Sequence, residues 1–262
     1  MKHMTSRRRF IKTGLIFVPA GLLAPKFLNF MVGDASAAST ILARTISSVA
    51  DKRIVLSNSQ FGRAHGIATW TQLRIGLRLI MGTTGANIVG PFFYVGLCSG
   101  TTNMIMDPTT DNWCGIRNTG DLLYDSNGPP NLYHANGRAT KRVGSTITDN
   151  ATCIGNMSIC NNAIAAVISG HTAMFVDITK GSPNYTFNIF SKTVNANPVS
   201  ITQADFLGQL AVATPSLTQH ASGTAKTLAV DESTGAFTHI NIGWDQAAPT
   251  IEICDLAVVR LA

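Results

Sequence analysis

Glutamate is almost missing from this chain: only Glu232 and Glu252 occur in 262 residues. Charged residues of all kinds make up 13%. That scarcity disfavours long helices, which draw on Glu, Lys, Leu and Arg. It suits strands joined by polar turns, and Thr, Ser, Asn, Gly and Ala are abundant here. Motifs of metal and redox chemistry are lacking too. No two cysteines stand as CxxC, no HExxH occurs, and His65, His134, His171, His220 and His239 stand singly. There is no dinucleotide fingerprint and no phosphate loop.

What charge exists is concentrated at the start. The formal net charge is +6. Six basic residues (Lys2, Arg7, Arg8, Arg9, Lys12, Lys26) and one acid (Asp34) lie within residues 1–37. The rest holds 14 basic and 13 acidic residues. A basic footprint for nucleic acid is therefore absent from the body of the chain, and nucleic acid is set aside as a partner.

The N-terminal stretch has three parts. Ser6-Arg7-Arg8-Arg9-Phe10-Ile11-Lys12 is charged, Gly14 to Pro25 is apolar, and Asp34-Ala35-Ser36-Ala37-Ala38 is small. These are an n-region, an h-region and a cleavage site. The apolar run is short and broken by Pro19, Gly21 and Pro25; a comfortable membrane span needs about 20 apolar residues. The stretch resembles a bacterial twin-arginine export signal, with Ser6, Arg7, Arg8, Phe10 and Lys12 on the pattern and Ile11 in place of its Leu. The resemblance implies that the domain folds before an export translocon carries it across the membrane. It then resides in the periplasm, on the cell surface or outside the cell. Cleavage is expected after Ala37, with Ala35 and Ala37 as the small residues of the site. A retained N-terminal anchor is the alternative. Residues 38–50 read as a linker or first edge element, and residues 51–262 as one domain of ordinary size.

Within that domain the apolar residues alternate. In Thr69 to Leu79, Leu73, Ile75, Leu77 and Leu79 share one face and Arg74, Gly76 and Arg78 the other, which reads as a half-buried strand with solvated arginines. Ile54–Leu56, Phe92–Cys98, Lys141–Ile147, Ala173–Ile178, Tyr185–Phe190, Thr227–Val230, Phe237–Trp244 and Ile251–Leu261 also read as strands. Residues 101–113 read as a loop, and Asp125 to Pro130 as a turn cluster. One helix of two to three turns is expected after Thr202, which can cap it with Asp205 near the positive end. The expected fold is all-β: an antiparallel two-sheet, jelly-roll-like sandwich with one short helix, behind a signal helix.

The last segment, Ile251-Glu252-Ile253-Cys254-Asp255-Leu256-Ala257-Val258-Val259-Arg260-Leu261, resembles the closing strand of concanavalin-A-like (laminin-G-like) sandwiches. The resemblance implies a two-sheet jelly roll, a fold frequent among glycan-binding modules and polysaccharide hydrolases. Hydrolases of that kind carry paired carboxylates, which protonate the leaving oxygen and activate the attacking group. Here Glu252 and Asp255 are three apart, which in a regular strand places them on opposite faces. Ser99, in Gly96-Leu97-Cys98-Ser99-Gly100, lacks the nucleophile-elbow spacing and reads as a strand-end turn. No catalytic residue is assigned.

Binding residues are easier to nominate. Trp113 beside Asn112, with Tyr124 and Tyr133 flanking the Asp125–Pro130 turn, are the aromatics that could stack on sugar faces; packing is the competing role for Trp113. Trp70 and Trp244 fit core positions. Asp107 and Asp111 in one loop and Asp121 and Asp125 in the next offer oxygen ligands for Ca2+, with Asx turns as the alternative. Among the five cysteines, Cys153 with Cys160 and Cys98 with Cys114 are close enough in sequence to bridge, and buried free thiols are the other outcome. Three functions follow in order: a surface structural or self-assembling protein, a glycan-binding module, and a polysaccharide hydrolase.

Overall fold

The computed structural model describes residues 29–31, 40–46, 53–57, 70–82, 93–100, 111–119, 123–125, 132–160, 171–181, 183–192, 201–215, 220–222, 225–230, 237–244 and 250–261. The charged and apolar parts of the leader, the cleavage residues Ala35 and Ala37, and Asp107 and Asp121 lie outside them.

The strands in chain order are β1 (Asn29–Met31), β2 (Thr40–Ile46), β3 (Arg53–Ser57), β4 (Gln72–Gly82), β5 (Phe93–Cys98) and β6 (Trp113–Asn118). Then come β7 (Leu123–Asp125), β8 (Leu132–Val143), β9 (Thr146–Asp149), β10 (Gly155–Cys160) and β11 (Thr172–Thr179). After β12 (Asn184–Lys192) the helix α1 (Gln203–Gln209) intervenes before β13 (His220–Ser222), β14 (Lys226–Ala229), β15 (His239–Trp244) and β16 (Thr250–Arg260). The first sheet runs β1-β2-β16-β4-β11-β12-β13, with β14 also on β12. The second runs β10-β8-β6-β5-β15-β3, with β7 and β9 also on β8. The pairings are antiparallel, and the fold is the sandwich expected from the alternating pattern.

Alternation decides which side chains meet. Leu73, Ile75, Leu77 and Leu79 of β4, Met174, Val176 and Ile178 of β11, and Ile253, Leu256 and Val258 of β16 face Phe93, Val95 and Leu97 of β5 and Ile240 and Ile242 of β15. Trp70 packs against this core.

The outer face of the first sheet departs from expectation. Arg74 is fully buried, not solvated. Its Nε and Nη2 donate to the two carboxylate oxygens of Asp177 at 2.6 and 2.7 Å. Its guanidinium lies over the Phe175 and Phe190 rings. It also donates to carbonyls at the end of α1, Leu210 O and Ala213 O both at 3.1 Å, where a cation is favoured. Arg78 pairs with Asp255, which accepts from Gln203 as well. The reason is α1. Thr202 and Asp205 form a reciprocal capping box, and Phe206 and Leu210 press onto Ala173, Phe175, Phe190, Ala257 and Val259. The helix forms where expected, and it roofs the face that carries the arginines.

Three further differences arise from irregular backbone. The expected strand Lys141–Ile147 is a hairpin, because Gly144 turns the chain at φ +57°. Register slips between Ile253 and Asp255, so residues 252 and 255 pair with Ile80 and Arg78, two apart on β4. The opposite-faces expectation for Glu252 and Asp255 therefore fails, since a bulge reverses the alternation. Third, Thr40–Ile46, within the segment read as a linker or first edge element, forms β2 between β1 and β16.

Candidate functional site

The outer face of the second sheet gathers polar and aromatic residues in three rows across the strands. One row is Arg142, Trp113, Cys98 and His239. The next is Thr140, Gly115, Gly96 and Asn241. The third is Arg138, Arg117, Tyr94 and Gly243. Antiparallel partners share a face, so each row is a true neighbourhood.

The middle row is a trough. A Cβ on Gly96 would stand 2.3 Å from Cys114 O, and one on Gly115 2.3 Å from Val95 O. Only glycine allows β5 and β6 to approach so closely. Two rings fill the space. The Trp113 indole leans over Gly115, and the Tyr94 hydroxyl over Gly243. They meet edge to face, centroids 5.7 Å apart at 86°. Tyr94 donates its O–H to Asn241 Oδ1 at 2.9 Å.

Arg117 donates from Nε and Nη2 to both oxygens of Asp149, at 3.0 and 2.7 Å, and Thr140 donates to the same carboxylate. Burial alone would raise the Asp149 carboxyl. The bonds from Arg117 and Thr140, with the charges of Arg117 and Arg138, outweigh it and hold the group below the ordinary carboxylate range. Burial pushes the Cys98 thiol up, with N–H groups of the Ser99–Gly100 turn opposing it. A thiol held protonated in this way is a poor nucleophile. Ser99 Oγ accepts the Asn112 N–H at 2.9 Å and closes the β5–β6 connection, a turn role as its spacing suggested.

Two donors in this layer stand out. Trp113 is 1% exposed, and its Nε1–H has no hydrogen-bond partner. Arg138 Nε is buried and also without one. Leaving a buried donor unsatisfied costs about 1–3 kcal/mol, and native structures rarely tolerate it without a reason.

The residues nominated from sequence do not form one group. Trp113 opens β6 rather than sitting in a loop. Tyr124 and Tyr133 oppose each other across β7 and β8. Tyr133 lies nine residues along β8 from Arg142, the partner of Trp113. At about 3.3 Å per residue that is about 30 Å, so one groove cannot hold both aromatics. The Cys98–Cys114 bridge is not made: no disulfide joins them, with Cys98 on the outer face and Cys114 in the core. Cys153 is a free thiol, so it forms no bridge with Cys160. Asp111 packs its carboxylate against Gly100, Asp125 ends β7, and no group of three metal-ligating side chains assembles among the described residues.

No motif in the sequence singles out Tyr94, Arg117, Arg138 and Asp149. Alternation places Tyr94 opposite in phase to Phe93 and Val95, and so on the outer face. The other three needed the register of β6, β8 and β9, which one strand's pattern does not contain.

No protein-family model matches the chain, and no curated protein matches it. Solved structures resemble it distantly. The exoplasmic/lumenal domain of VIP36, in a form bound to Ca2+ and Man3GlcNAc, is 7% identical with a TM-score of 0.34, over 74% of this chain and 70% of that one. Basic winged bean lectin with Tn-antigen is 10% identical with a TM-score of 0.31, over 88% and 89%. At such scores neither likeness carries weight for fold or ligand, and the sandwich stands on its own strand order.

Proposed function

We propose that this protein is an exported, non-catalytic β-sandwich that binds glycans at the outer layer of its second sheet, whose central residues are buried and have to be uncovered for a ligand to reach them. One observation carries the proposal: the buried Trp113 N–H has no partner, in a layer that also holds Tyr94, Asn241 and Arg138. Sugar hydroxyls are acceptors, and aromatic rings with amide and guanidinium donors are the groups that fix them in binding sites. Trp113→Phe keeps an aromatic ring and removes the N–H together with part of the buried indole volume. Loss of that donor is expected to weaken retention on polysaccharide affinity gels by about tenfold, in a protein that still unfolds cooperatively though at a lower midpoint, since the smaller ring leaves a cavity. Equal retention of the two proteins would defeat the proposal.

A second reading, a self-assembling surface component, is favoured by β1. That strand precedes the expected cut after Ala37 and pairs with β2. Cleavage would remove it and open the β2 edge to another chain. The leader residues Arg7 and Arg8 support export. Among the described residues no helix is long and apolar enough to cross a membrane. The exported species is expected to begin at Ala38, to scatter light as a multimer, and to vanish with Arg7→Lys plus Arg8→Lys. A monomer would sink assembly; undiminished export would sink the leader's role.

A further inference from the structure

The outer face of the second sheet is biased toward positive charge. Arg142, Arg138 and Arg117 stand on it at alternate or opposed positions of β8 and β6. The carboxylates of that layer are Asp149, already engaged by Arg117 and Thr140, and Asp111, which lies against Gly100 with its charge acting on the Cys98 thiol. Arg142 donates from Nε to Gly144 O at 2.7 Å. Arg138 Nε donates to nothing. Three guanidiniums face two carboxylates there, and one buried guanidinium N–H, that of Arg138 Nε, has no acceptor.

From this we infer that the ligand is an anionic glycan, whose carboxylate or sulfate sits at Arg138 while a hydroxyl accepts the Trp113 N–H. This rests on the glycan reading of the same face and names the class of glycan. Guanidinium offers planar paired donors that match carboxylate and sulfate oxygens, which a neutral sugar does not supply. Trp113 and Arg117 are four residues apart on β6, about 13 Å along the strand, and Arg138 is the register partner of Arg117. The Trp113 indole leans back over Gly115 to meet Tyr94, which shares a row with Arg117 and Arg138, so the ring lies nearer that row than the backbone span alone would put it. Asp149 takes part by holding Arg117 in place.

The test is isothermal titration of the full chain with three probes: oligogalacturonate for carboxylate, sulfated dextran oligomers for sulfate, and plain dextran oligomers as the neutral control. Each is run at low and at near-physiological salt. One acidic probe is expected to bind at least about tenfold more tightly than the neutral one, and to weaken as salt rises. Which acidic probe wins separates carboxylate from sulfate. Arg138→Gln is expected to remove the preference, and Arg138→Lys, which keeps charge without the fork, to restore part of it. Should Arg138→Gln fail to fold, the Arg138→Lys decrement and the salt dependence of the parent decide. Preference for the neutral probe, lost in Trp113→Phe, would overturn this inference and leave the glycan reading standing. Binding of none of the three would overturn both. Acidic binding indifferent to residues 113 and 138 would place the site elsewhere and overturn the inference.

Discussion

Arg74→Ala is expected to destabilise the protein by about 3–5 kcal/mol, in urea unfolding followed by tryptophan fluorescence. The loss is larger than a surface ion pair would give, because both partners are out of water: Arg74 is fully buried and Asp177 nearly so. Removing the guanidinium leaves the Asp177 carboxylate without its two bonds. It also strips donors from the carbonyls that end α1, whose partners must then come from elsewhere. Asp177→Ala should cost less than Arg74→Ala, since those carbonyls keep their donors. The pair Arg74→Met with Asp177→Leu should recover much of the loss, because an apolar pair leaves no buried charge unmatched. A loss under about 1 kcal/mol for Arg74→Ala would show that the arginine is solvated after all.

The second large effect belongs to Phe206. It is fully buried, stacked on Phe175 with centroids 5.6 Å apart, and seated against Gly76. Phe206→Ala should cost about 3–5 kcal/mol, since the removed ring leaves a cavity between helix and sheet. Leu207, its half-buried neighbour, gives the control. Leu207→Ala should cost well under half as much, as its side chain is partly in water already. Similar costs for the two would mean that α1 does not dock on the outer face in the way described.

Much of the sandwich was legible from strand alternation alone. Leu73, Ile75, Leu77 and Leu79 alternate with Arg74, Gly76 and Arg78, and that pattern located β4 and its core face. The capping pair Thr202 and Asp205 located α1. What alternation could not show was the cover. A face with two arginines looks solvated until a helix is laid across it, and that contact joins residues more than a hundred positions apart. Only Lys141 to Val143 of β8 falls within an expected strand; Leu132 to Thr140 does not read as one, since Gly137-Arg138-Ala139-Thr140 has little apolar content and its outer face carries an arginine. β6 was masked by its glycine and by the loop-like run before it. The bulge at Cys254 reversed the phase of β16, which no spacing rule applied to Glu252 and Asp255 would detect.

The candidate site was less legible than the fold. By its sequence context Trp113 is a candidate sugar contact, with packing as its rival role. The structure gives it packing contacts and an unsatisfied donor together. Tyr124 and Tyr133 flank a turn and read as its companions, yet register carries them about 30 Å away along β8. Proximity in a sheet is set by pairing, and pairing is not written in any single strand.

The most direct measurement is the set of indole N–H resonances in a 1H–15N spectrum. The chain has three tryptophans, Trp70, Trp113 and Trp244, and Trp113→Phe assigns one peak by its disappearance. On titration with the glycan that is retained best, the Trp113 resonance is predicted to shift as its proton gains an acceptor, while the Trp70 resonance stays in place. Saturating glycan that leaves the Trp113 resonance where it was would contradict a binding face built around that side chain.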